Sequence, residues 1–181
     1  MPTASFFNAI KTQLLNITFD GSEIQFVQLW NNQLQSLRAA DTEANISYSS
    51  SLPALFAEFL NLETEQLGNG IQVYSNLIVR IHMLHRQEDA GDGTMEQNLA
   101  VLDLRDAVQA ALQNFRPAGA SEFIRIKQEM DYNHNNVYHY IMEYACTYID
   151  TLANQPVNGV QHSAAPDIEI SYDPHPFIKP A

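Results

Sequence analysis

The chain predicts a mixed α/β (α+β) domain, a single mostly antiparallel sheet of four to five strands with two helices packed on one face, followed by an extended C-terminal arm. Three observations lead there. From Gln72 onward the stretch GIQVYSNLIVRIHMLHR alternates, with Val73, Ser75, Leu77, Val79, Ile81 and Met83 on one side. Gln72, Tyr74, Asn76, Ile78, Arg80, His82 and Leu84 fall on the other, and a period of two over that length fits a strand. Two segments, at 3–15 and 94–115, carry apolar residues at helical spacing instead. Beyond Asp150 the regular patterning gives way to a proline-bearing stretch.

Taken in order, residues 3–15 open with Thr3 or Ser5 as a cap, and Phe6, Ala9, Ile10 and Leu14 form the apolar stripe of a short helix. Asp20-Gly21 signals a turn before a strand at 24–29, with Ile24, Phe26 and Gln28 on one face and Val27 and Leu29 on the other. Trp30 ends it. Residues 31–51 are polar and read as a loop. Pro53 opens a strand over 53–60, at a sheet edge or a first position, where its missing N–H does no harm. Leu62 and Leu67, in the connection that follows, are expected to tuck under the sheet. Gly68-Asn69-Gly70 then turns the chain into the long central strand.

The acidic, glycine-containing break after that strand reads as a mobile loop. Thr94 with Gln97 has the spacing of a capping box. The helix it starts carries Val101, Leu104, Val108, Ala111, Leu112 and Phe115 on one stripe, and Pro117 with Gly119 stops it. Residues 123–131 alternate again and put Ile124, Ile126, Gln128 and Met130 toward the core. In residues 137–149, Tyr138, Tyr140, Met142, Tyr144, Cys146 and Tyr148 form the more apolar row, and it too is placed on the core side. The domain is drawn as 1–152 and the arm as 153–181, with Ile168, Ile170, Phe177 and Ile178 as anchors on a neighbouring subunit.

A length of 181 residues is enough for one good core. Nine Lys plus Arg stand against 21 Asp plus Glu, a net charge of -12, and that balance opposes wrapping around nucleic acid. Such charge equally serves as a solubilising surface. Asn, Gln, Ser and Thr carry most of the polar surface, which is easier to desolvate against a partner than Lys and Glu. Cys146 is the only cysteine; it excludes an intrachain disulfide and reads as a small buried side chain. No run is long enough for a membrane span, the N-terminus lacks a secretory pattern, and the cytoplasm of the cell that makes the chain is the expected address.

Little in the chain suggests catalysis. His82 and His85 leave opposite faces of a strand. His134, with Asp131 and His139, could approach an ion, but a hydrogen-bonded Asn-rich turn explains the same residues. A small hydrolase would need a pocket in which Asp131, His134 or His139 converge with a nucleophile. GNGI and GDGT do not continue into a phosphate-binding loop, and Asp103 and Asp106, flanking Arg105, read as salt-bridged helix surface. No enzyme activity, cofactor or metal is expected.

VQLWNNQLQSL at 27–37, LPALFAEF at 52–59, GIQVYSNLIVRIHML at 70–84, LDLRDAVQAAL at 102–112 and EMDYNHNNVYHYIMEYACTYID at 129–150 together resemble tail-completion or tail-terminator proteins of tailed bacteriophages and prophages. The resemblance is one of element order and covers most of residues 3–150. It implies a structural virion protein of the tail and neck, assembled in the host cytoplasm. The subunit would form a homo-oligomeric ring, commonly a hexamer, on the head-proximal end of the tail tube, end tube polymerisation and help form the head–tail junction. Its partners would be itself, the tail tube protein and head–tail connector proteins, with DNA passing through unbound and no membrane involved. A head-completion, connector or neck protein would look alike, and a generic adaptor domain would share the fold without closing a ring. Interface candidates are Val73, Tyr74, Ile78, Arg80, Tyr138, Tyr140, Tyr144, Phe177 and Ile178; Glu88, Asp89 and Asp92 would face the lumen or the tube.

Overall fold

The computed structural model describes residues 3–19, 22–24, 26–31, 52–68, 70–86, 96–131 and 137–151. Thr3 caps the first helix, α1 (Ala4–Leu15), by accepting the Phe6 N–H on its Oγ1 at 3.2 Å. The same hydroxyl meets the Tyr148 hydroxyl at 2.8 Å, tying the start of the helix to a residue 145 positions later in the chain. Phe6, Ile10 and Leu14, one turn apart, are buried. A small antiparallel pair follows, β1 (Thr18–Phe19) with β2 (Ser22–Glu23).

Six strands make the main sheet. They are β3 (Phe26–Leu29), β4 (Ala54–Leu60), β5 (Glu65–Gly68), β6 (Ile71–Arg86), β7 (Ile124–Asp131) and β8 (Val137–Asp150). The order is β3-β4-β6-β8-β7, with β5 paired to the start of β6. Thus β6 is central, and its length has a cause. One of its edges is shared, Ile71 to Val73 pairing with β5 and Ile78 to Leu84 with β4, while the other pairs with β8 almost throughout. All pairs are antiparallel except β3 with β4, which run parallel.

The second helix, α2 (Glu96–Leu112), joins α1 on one face of the sheet. Val101, Leu104, Val108 and Leu112 are buried there, and Asn114, at a φ of 63°, ends the helical run in the left-handed conformation that asparagine tolerates. Opposite them lie Leu55, Ala57, Leu77, Val79, Ile81 and Met83, with Tyr140, Met142, Tyr144, Cys146 and Tyr148 of β8. The Tyr row of β8 therefore faces the core as its alternation implied. The proposed cap Thr94 and the loop residues 31–51, apart from Asn31, lie outside the described residues.

Several sequence expectations need correction. The alternation of β6 is broken: its register on β8 shifts between Tyr74 and Leu77, which puts Tyr74, not Val73, on the core face. A bulge of this kind adds a residue and reverses the parity beyond it. In β7 a shift between Arg125 and Lys127 has the same effect, and β7 is a terminal strand of the sheet, so Ile124 and Ile126 are exposed and only Met130 packs against the core. Ile24 and Val27 share the core because the strand begins at Phe26 and not at Ile24. Pro53 precedes a strand that has neighbours on both sides, so the first-position reading holds and the edge reading does not. Leu62 and Leu67 are exposed, the latter on β5, a short strand whose sequence EQLG is too brief and too polar for any period test.

Candidate functional site

Strand register builds the second face of the sheet, the one turned away from both helices, as rows of residues running across four strands. One row is apolar: Leu60, Ile78, Ala145 and Ile124 are successive partners on β4, β6, β8 and β7. The next is charged and alternates in sign, with Glu58, Arg80, Glu143 and Lys127 in the same relation. Beyond it come Phe56, His82, Ile141 and Glu129, then Ala54, Leu84, His139 and Asp131.

Side chains in the last three rows form a continuous polar network. Arg80 donates from Nε and Nη2 to Glu143 Oε1, at 2.9 and 2.7 Å, and from Nη1 to Glu58 Oε2 at 3.1 Å. Glu58 Oε2 also meets His82 Nε2 at 3.2 Å. His82 Nδ1 meets His139 Nε2 at 2.9 Å, and His139 Nδ1 meets Asp131 Oδ2 at 3.3 Å. His82, His139 and Glu143 are buried. Trp30, held at the end of β3 by its backbone N–H on the Ala57 carbonyl at 2.9 Å, stacks on His82 with ring centroids 3.9 Å apart and 3° between planes. It reaches His139 at 5.5 Å and Phe56 edge-on at 5.7 Å.

The electrostatics follow from that burial. Desolvation first, then His139 and Arg80, push the His82 imidazole down to about 3, so it is neutral at ordinary pH. Glu58 does not reverse this, because Arg80 already neutralises the same carboxylate oxygen. Burial by itself would lower the Arg80 guanidinium, yet Glu143 and then Glu58 raise it above its usual value. The chain Asp131–His139–His82–Glu58 has three contacts, and two neutral imidazoles bring only two N–H hydrogens to them. One further proton would complete the chain. Burial and Arg80 oppose placing it on His82.

Chemically the network is a connected polar layer in which one guanidinium, Arg80, serves two carboxylates, Glu58 and Glu143. Among the described residues no group of three or more His, Cys, Asp and Glu is arranged to hold a metal ion; the four acid and imidazole groups lie in a line and do not converge. Asp131 and His139 do come together, as a hydrolase reading would need, while His134 lies outside the described residues. Asp106 pairs with Arg105 at 2.6 Å and is exposed, as is Asp103. Burial pushes the Cys146 thiol up to about 12, which opposes a thiolate. No described helix is long and apolar enough to cross a membrane.

The interface candidates divide. Val73, Ile78, Arg80 and Tyr138 are half-buried, and the first three lie on the second face. Tyr74, Tyr140 and Tyr144 are buried in the core, so they have no free surface to offer. Phe177, Ile178, Glu88, Asp89 and Asp92 lie outside the described residues. The sequence reading missed Trp30, Glu58 and Glu143 and the pairing of the two histidines. A signal existed: Arg80 and His82 on one strand, and His139 and Glu143 on another, each occupy a single alternation class. In comparisons with known proteins, no family model matches the chain and no curated protein is significantly similar to it in sequence.

Proposed function

We propose that the chain is a structural subunit that closes into a homo-oligomeric ring, a hexamer by the resemblance of its element order, and caps the head-proximal end of a phage tail tube. In that role it ends tube polymerisation and forms part of the head–tail junction, as a non-enzymatic component of the virion. The observation that carries this reading is the one-sided layering of the sheet. Both described helices pack on one face, and the other presents the row Leu60, Ile78, Ala145 and Ile124, flanked by Val73 and Ile149. Ile124 and Ile149 are exposed, at 57% and 44%. Apolar rows left at the surface beside a polar layer are the anatomy of a subunit contact.

The acidic balance supports the same reading, since a channel wall rich in Lys and Arg would hold passing DNA by its phosphates. The tail tube protein and connector proteins are the partners, and Glu88, Asp89 and Asp92 are assigned to the lumen or the tube.

Electron microscopy of the purified chain, alone and mixed with tail tubes, tests the assignment. Rings seated on tube ends are expected. Ile78→Asp and Ile149→Asp should abolish them while the circular dichroism spectrum stays native. Rings that persist in both variants, or tubes carrying single copies, would overturn it.

A further inference from the structure

Strand β7 ends the sheet: β8 pairs with one of its edges, and no described strand pairs with the other. An unpaired edge is a row of backbone donors and acceptors able to receive another strand. Along it, Ile126, Lys127, Gln128, Glu129 and Met130 have the same shape of chemistry read from either end. An apolar residue and a charge stand on each side of a central amide, and the two charges are opposite in sign. Ile126 is 53% exposed, and the Lys127 and Glu129 side chains are 49% and 43% exposed.

We propose that the free chain pairs with a second copy of itself along β7, antiparallel, with the two-fold axis passing through Gln128. In that register Lys127 stands opposite the partner's Glu129, and Glu129 opposite the partner's Lys127. The two Gln128 side chains meet at the axis, and the partner's Met130 comes beside Ile126, which sits in the register shift at the end of the regular edge. Directly opposed Cβ atoms in an antiparallel pair are about 5 Å apart, near enough for such pairs to decide the register. Lys127 Nζ already lies 2.7 Å from Glu129 Oε2 within one strand, so the seam assembles four charges of alternating sign.

Other registers lose this match. An axis at Lys127 or at Glu129 sets like charges against each other, and a shift by one residue turns the strands' faces out of phase. Charged residues on an edge usually guard it against pairing; here each charge finds its opposite when the strand meets its own reverse. The seam has a natural limit. The register shift between Arg125 and Lys127 ends the regular edge, and the Arg125 N–H is taken by Gln113 Oε1 at 3.3 Å. On the second face the pairing prolongs an existing pattern, because the row Glu58, Arg80, Glu143, Lys127 would continue into the partner's Glu129 with its alternation of sign intact.

This inference does not rest on the ring. Ring closure uses two different surfaces head to tail, whereas a two-fold pair uses one surface twice. Sedimentation equilibrium of the full chain over a concentration series tests it. A species of twice the 20.4 kDa chain mass is expected. Lys127→Glu and Glu129→Lys, each alone, should weaken the pair by roughly tenfold or more through like-charge opposition. An equimolar mixture of those two variants should recover it, since each then meets its complement, and circular dichroism checks that both remain folded. A wild-type chain that stays monomeric overturns the pairing, as do single variants that associate like wild type or a mixture that fails to recover. A larger ring indifferent to these substitutions would also overturn it, while leaving the ring reading in place.

Discussion

Held neutral beneath Trp30, His82 couples the fold to pH. An unfolded histidine titrates near 6.5, and the native one near 3. Between those values the unfolded chain binds a proton that the native site refuses. This contribution is complete above 6.5 and is lost as pH falls toward 3, at a slope of at most about 1.4 kcal/mol per pH unit. Urea denaturation at neutral and mildly acidic pH should therefore show a steeper acid loss for wild type than for His82→Gln, and equal slopes would show that the imidazole is protonated in the native state. Arg80 gives a second test. Arg80→Met leaves Glu58 and Glu143 facing each other without a cation, which should cost about 2–4 kcal/mol after allowance for the partial exposure of Arg80. Because Arg80 also depresses His82, its removal should bring the native His82 closer to an unfolded histidine, so the His82 part of the acid loss should be smaller and end at a higher pH than in wild type, visible in the same titration. Single residues of this kind were legible in the sequence as types but not as partners. Glu58 sits within the apolar run ALFAEFL and only its register with Arg80 gives it a role.

At the scale of elements, local chemistry and long-range contact coincide at Thr3. Its hydroxyl caps α1 and also holds the Tyr148 hydroxyl. Thr3→Ala should cost about 1–2 kcal/mol, more than an isolated cap in a peptide, whereas Thr3→Ser should retain most of the stability; thermal melting of the two variants separates the cases. The helices were readable because their stripes recur every three to four residues. So was β8, whose alternation is unbroken. Strands β6 and β7 were readable as strands but misassigned in part, and the same event accounts for both. Each carries a register shift against β8, which reverses which side chains point inward, and no local property of Tyr74 or Ile124 announces that reversal. Strand β5 escaped notice because its four residues are all exposed and have no buried side to alternate with.

For the molecule as a whole, the described fold is closed by Thr151. Near that point the Ile149 N–H donates to the Gly119 carbonyl at 2.8 Å, and Ala120 bridges to Tyr148. Deleting residues 153–181 should accordingly leave the melting temperature nearly unchanged and, if the tail is an arm laid on a neighbour, weaken ring assembly; collapse of the fold on truncation would move the domain boundary into the tail. The sequence by itself determined that the fold is α+β with a largely antiparallel sheet, that the central strand falls within residues 70–86, that two helices share one side, and that acidic charge predominates. Each of these is a property of composition or of short-range periodicity, which a chain carries whether or not it is folded. The tertiary structure alone decided the parallel placement of β3, the two register shifts, the place of β7 at the end of the described sheet, and the gathering of Trp30, Glu58, Arg80, His82, His139 and Glu143 into one partly buried network. Those depend on which strands lie side by side and in what register, and that is settled by packing among residues far apart in the chain rather than by the spacing of residues along it.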